Sequence, residues 1–138
     1  MKATELMVGD WVLHEGKPYQ IRQLGIYGEN RDGEDYPAVC IGKPKGIGLI
    51  IERNEIIPIP LTPEILEQNG FVKQDYDGWL IHEDNGRGLI EYRTDYFDGF
   101  LIINYIKKPF SKISVKLKHV HELQHALRLC GIDKEITI

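Results

Sequence analysis

Along the first sixty residues, apolar and polar positions alternate in short runs separated by turn-forming residues. "GDWVLHEGKPYQIRQLGI" reads as a strand over Trp11 to His14, a turn at Glu15-Gly16-Lys17 and a returning strand from Tyr19 to Leu24, a hairpin typical of small barrels. The acidic, glycine-bearing "YGENRDGED" reads as an exposed loop. "YPAVCIG" and "GLIIERNEIIPIP" add strands, with Pro58 and Pro60 stopping the sheet. The expectation for residues 1–60 is a small, twisted, barrel-like β-layer.

The period then changes. In "LTPEILEQNGF", Thr62 suits an N-cap, Pro63 the first helical position and Glu64 the first turn, while Gly70 can take the left-handed position after the helix. This predicts a helix of about two turns that buries Ile65 and Leu66, with Phe71 folding back onto it. Three turn signals follow, Asp77-Gly78, Asn85-Gly86 and Asp98-Gly99, separating "GFVKQ", "GWLIHE", "GLIEYRT" and "GFLIINYI", after which comes "KISVKLK". Such a series predicts an antiparallel meander. One face of a meander needs cover, and "HVHELQHALRLCG" is the only long helical segment left. "EITI" is a candidate last strand. The fold class is α+β, read as one domain over 1–138 with a β-rich subregion at 1–60 and the helix, meander and C-terminal helix at 61–138.

On a helix over residues 120–130, Val120, Leu123, Ala126, Leu127 and Cys130 gather on about one third of the circumference, the expected core stripe. His121 and His125, with Gln124 and Arg128, are expected on the opposite, wet side. The same segment holds His121-Glu122-Leu123-Gln124-His125, a match to H-E-x-x-H, in which two histidines one turn apart bind zinc and the glutamate is general base. A zinc hydrolase needs a third ligand. Only thirteen residues follow His125; Arg128 stands where a metzincin glycine would be and Gly131 where its last histidine would be. His119 completes an H-x-H-x-x-x-H set, but if helical it lies far around the cylinder from His121. His82 or Glu83 remain as upstream ligands. The reading is therefore no catalytic residue, no bound cofactor and no metal, with zinc held by His121 and His125, and Glu122 as base, as the alternative.

Composition narrows the classes further. At 138 residues, 42% hydrophobic and 28% charged, the chain is an ordinary globular length and mix. No apolar run approaches a membrane span or a secretory leader, and Cys40 and Cys130 lie far apart, so a cytoplasmic protein with reduced thiols is expected. The net charge of −4 argues against a protein that coats nucleic acid. Yet residues 106–128 carry Lys107, Lys108, Lys112, Lys116, Lys118 and Arg128 against Glu122 alone, which makes that stretch +5 and the rest −9. Lys112, Lys116, Lys118 and Arg128 are thus a candidate interaction surface, or simply the solvated side of a strand that buries Ile113, Val115 and Leu117.

Other chemistry lacks raw material. "GKPKGIG" lacks the order of a phosphate-binding loop and reads as a turn. The two serines, Ser111 and Ser114, sit on no nucleophile elbow. Tyr27, Tyr36, Trp79, Tyr92, Tyr96, Tyr105 and Phe110 could stack on bases, but aromatics along a meander more often form cross-strand pairs.

"MKATELMVGDWV", "IPIPLTPEILEQNGF" and "VHELQHALRLCGIDKEI", in this order, resemble a family of short uncharacterised proteins of Bacteroides-type gut bacteria and their phages and mobile elements. The resemblance covers both ends and the first helix, somewhat under half the chain. Many members read V-H-Q-L-Q-N where this chain has Val120 to His125, which would leave His121 and Gln124 without a metal pair. The resemblance implies an accessory or protein-binding role by association and no particular activity. The functional expectation is a non-enzymatic protein-interaction or accessory domain with an unknown protein partner, nucleic acid not favoured and no membrane.

Overall fold

Glu15 and Gly16 both take positive φ, 50° and 72°, which gives the two-residue turn between facing strands that matches their natural twist. Around that turn His14 pairs with Lys17 and Trp11 with Gln20. In the computed structural model, which describes residues 6–75, 78–82, 88–93, 100–105, 112–129, 132 and 134–138, the chain divides into two compact units, Met1–Ile59 and Pro60–Ile138.

The first unit runs β1 (Trp11–His14), β2 (Lys17–Glu29), β3 (Asp35–Gly42), β4 (Leu49–Glu52) and β5 (Ile57–Pro58). They form one antiparallel sheet in the order β4-β3-β2-β1-β5. The sheet is open, with β4 and β5 at its two edges, so the barrel-like expectation is corrected. The cause is local: a 3-10 turn at Arg53–Glu55, closed by the Glu52 amide donating to Glu55 Oε2 at 3.2 Å, breaks the chain after β4. Pro58 then has no amide to extend a ladder, and among the described residues β5 pairs only with β1, through Val12↔Pro58 and Leu13↔Ile57.

The acidic segment predicted as a loop begins and ends in strand. β2 and β3 stay paired through Gly28↔Tyr36 and Glu29↔Asp35, and only Asn30 to Glu34 turn. Asn30 Oδ1 accepts from the amides of Asp32 (2.9 Å) and Glu34 (2.8 Å), and the Asn30 amide donates to the Glu34 carbonyl at 3.0 Å. A side chain that mimics a backbone turn closes the hairpin despite its charge. Leu6, Val12, Ile21, Val39, Ile41, Ile51 and Ile56 form the buried cluster of this unit.

The second unit opens with α1 (Pro63–Gln68), built as its sequence predicts. Thr62 Oγ1 accepts from the Ile65 amide, and Pro63 sits in the first turn. At the other end, with Gly70 at φ 85°, the amide of Gly70 donates to the Glu67 carbonyl and that of Phe71 to the Leu66 carbonyl, both at 3.0 Å. These two bonds satisfy carbonyls that the helix end would otherwise strand. Leu66 and Phe71 are buried, whereas Ile65 is only half-buried.

Then come β6 (Val72–Lys73), β7 (Gly78–His82), β8 (Gly88–Arg93), β9 (Phe100–Tyr105) and β10 (Lys112–Lys116), a sheet in the order β10-β9-β8-β7-β6 with antiparallel neighbours. This is the predicted meander; one register row crosses it through Ile81, Ile90, Ile103 and Ile113. Of the expected turn residues, Asp77, Asn85, Gly86, Asp98 and Gly99 lie outside the described residues, as do Cys130 and Gly131 at the expected end of the last helix.

α2 (Val120–Leu129) completes an α+β fold. "EITI" is not a strand. It is held instead by Asn69, whose amide group donates to the Thr137 carbonyl (2.9 Å) while its Oδ1 accepts from the Thr137 amide (2.8 Å). Among the described residues, no helix is long and apolar enough to cross a membrane.

Candidate functional site

The H-E-x-x-H residues occupy the first turns of α2. The Leu123 amide donates to the His119 carbonyl at 3.3 Å, which makes His119 the N-cap residue, outside the helix proper. Glu122 is then the third helical residue, and its carboxylate folds back over the helix start. Glu122 Oε2 accepts from the amides of Lys118 (2.6 Å) and His119 (2.9 Å), while Oε1 lies 3.5 Å from His119 Nδ1. This is the glutamate half of a capping box, filling donors that a helix start leaves open.

The helix buries more than one stripe. Val120, Leu123, Ala126 and Leu127 are buried as expected, but so are His121, only 4% exposed, and Gln124. Gln124 stands next to Val120 on a helical wheel, and the buried arc extends over about 220° at 100° per residue. His121 is therefore not on a wet face, and the expected opposition of histidines to core is corrected. His125 is half-buried; Arg128 and Leu129 are exposed.

The histidines meet. The His119 ring stacks on His121, with centroids 5.6 Å apart and planes 13° from parallel, and His121 meets His125 edge-on at 5.7 Å. Because His119 has non-helical backbone, it escapes the angular progression that would have carried it away from His121. The only sequence signal for this was the position of the helix start, one residue later than a helix including His119 would have.

As a general base Glu122 is poorly placed. Partial burial pushes its pKa up, but the amides of Lys118 and His119 and the His119 ring outweigh that, leaving the carboxyl below its ordinary value. A base working near neutrality needs the opposite displacement. A group whose folded pKa is depressed contributes stability that is present above the unfolded pKa and lost as pH falls through the folded one. Urea stability of the wild type should therefore exceed that of Glu122→Gln at pH 7, and the gap should close as the pH drops below the ordinary value of 4.5. A gap that persists unchanged at acid pH would contradict the capping role.

The other predicted residues are dispersed. Lys116 and Lys118 are exposed on either side of buried Leu117, as the alternation predicts, and Arg128 is exposed on α2. Lys112 opens β10, and His82 ends β7. Glu83, Tyr96, Phe110 and Ser111 lie outside the described residues.

The first unit holds a feature that the sequence reading missed. Edge strand β4 pairs on one side only among the described residues, with β3. Ile51 points inward and is buried, while Ile47, Leu49 and Ile50 are 97%, 47% and 56% exposed. Just beyond β4 a hollow of about 400 Å³ is lined by Tyr36, Pro37, Glu52, Arg53 and Asn54. The apolar run "IGLIIE" carried the signal, but only the strand order reveals that it forms an edge. The chain matches no family model, no curated protein and no solved structure.

Proposed function

We propose that the chain is a non-enzymatic interaction domain that captures an extended segment of a partner protein by adding it to its N-terminal sheet along β4. The observation that carries this reading is the apolar edge formed by Ile47, Leu49 and Ile50. Sheet edges are normally short, charged or covered because their open amides and carbonyls recruit other strands. β4 is short but uncharged until Glu52, and it presents two large aliphatic side chains, Leu49 and Ile50, with Ile47 exposed just ahead of it. Strand addition draws affinity from main-chain hydrogen bonds and specificity from pockets for alternate side chains, and the hollow at Tyr36, Pro37 and Arg53 is one such pocket. The partner segment is thus extended and carries apolar residues at every second position. An accessory role in a phage or mobile element, implied by the resemblance of the chain ends, fits a domain of this kind. In the same reading, α2 covers the meander and has a structural task.

The zinc-hydrolase alternative would require Glu122 to leave its two amides and act as a base. The basic residues Lys112, Lys116, Lys118 and Arg128 are the rival docking surface. Selection of displayed random peptides against the immobilised protein separates the readings. Selected peptides should alternate apolar residues and should lose about tenfold or more in affinity, ~1.4 kcal/mol, to the Ile50→Lys variant. The Lys116→Glu/Lys118→Glu variant should bind them unchanged. Binders that are acidic and respond only to the lysine variant would sink the β4 assignment.

A further inference from the structure

We propose that His119, His121 and Glu122 bind a single divalent transition-metal ion of the zinc class, with His125 beside them as the fourth donor, in a structural rather than a catalytic site. One donor atom from each of His119, His121 and Glu122 already lies within 4.8 Å of the others. Donors around a tetrahedral zinc ion, with bonds of about 2.0–2.2 Å, stand roughly 3.3–3.5 Å apart, so modest side-chain rotation closes the set. The His121 ring is buried and fixed between the rings of His119 and His125, which leaves the two half-buried histidines to make the adjustment. Three imidazoles and a carboxylate suit zinc, copper or nickel better than magnesium or calcium, which prefer oxygen alone.

The start of a helix carries the positive end of its dipole, which opposes a cation here. Glu122 answers this. Its Oε2 can keep the amides of Lys118 and His119 while Oε1, on the side of the His119 ring, turns to the metal. The ion would then tie the residue before the helix to its first two turns. That assignment differs from an H-E-x-x-H hydrolase, in which the glutamate stays off the metal and an open position holds water. With four protein donors the site has no such position.

The test uses the untagged full chain, freed of metal with EDTA, and titrates it with zinc by calorimetry and with cobalt by visible absorption. One equivalent should bind, cobalt should give the intense absorption of a four-coordinate ion, and zinc should raise the melting temperature. His119→Ala and His125→Ala, at half-buried positions that leave the core intact, should each weaken zinc by at least about tenfold and remove the thermal shift, since even ligand-supporting groups are worth that much. Lys116→Ala should change neither. No one-to-one binding at micromolar metal, or binding that survives both histidine variants, overturns the proposal. A cobalt spectrum of an octahedral, largely hydrated ion would overturn the four-donor assignment.

Discussion

Leu127→Ala is expected to destabilise the second unit by ~2–5 kcal/mol, the range for truncating a buried leucine that leaves both a lost transfer term and a cavity. Leu127 is fully buried, as is Val120 about two turns earlier on the same face, and Leu123 is nearly so. The cost is a large share of the 5–15 kcal/mol that holds an ordinary domain together, roughly speaking. Urea unfolding followed by far-ultraviolet circular dichroism measures it. His125→Ala is the control: at a half-buried ring it should cost much less. His121→Ala should fall between the two, since that ring is buried among its neighbours. Equal damage from His125 and Leu127 would mean that α2 is rotated from the orientation described.

The second large effect is expected from Asn69→Ala. Asn69 is buried at the end of α1 and joins two segments 68 residues apart. Its amide group donates to the carbonyls of Ile65 (2.8 Å) and Thr137 (2.9 Å), and Oδ1 accepts from the Thr137 amide at 2.8 Å. These three bonds to backbone groups, at about 0.5–1.5 kcal/mol each, give ~1.5–4.5 kcal/mol, because alanine leaves the partners without replacement. The C-terminal segment should loosen first, exposing Ile136, which is otherwise fully buried. Amide exchange at Thr137 should accelerate along with the drop in urea stability. If the Thr137 amide stays as protected as before, the clamp is not what holds the segment.

These two residues show what could be read from the sequence. α1 was legible because its signals are local: Thr62, Pro63 and Gly70 act within a turn of where they stand. The meander was legible from its spaced turn residues. Asn69 looked like an ordinary helix-end residue, and nothing adjacent to it announces Thr137. The strand order of the first sheet was equally hidden. "GLIIE" has the same composition in a closed barrel as at an open edge, and the difference lies in the turn at Arg53–Glu55 and the missing amide of Pro58.

The site shows the same division. A helical wheel identified Val120, Leu123 and Leu127 as core, since periodicity reports the most apolar face. It could not report how much of the remaining circumference the unit covers, so His121 and Gln124 were misplaced. Nor could spacing alone show that Glu122 folds back as a cap, because H-E-x-x-H fixes which residues share a face and not where the helix begins.

Amide hydrogen exchange on the complex with a selected peptide tests the central claim most directly. If the domain works by strand addition, exchange should slow at Leu49 to Glu52 when the peptide binds and stay unchanged from Lys116 to Leu129. Slowing confined to the lysine-bearing strand and α2, with β4 exchanging as in the free protein, would contradict it.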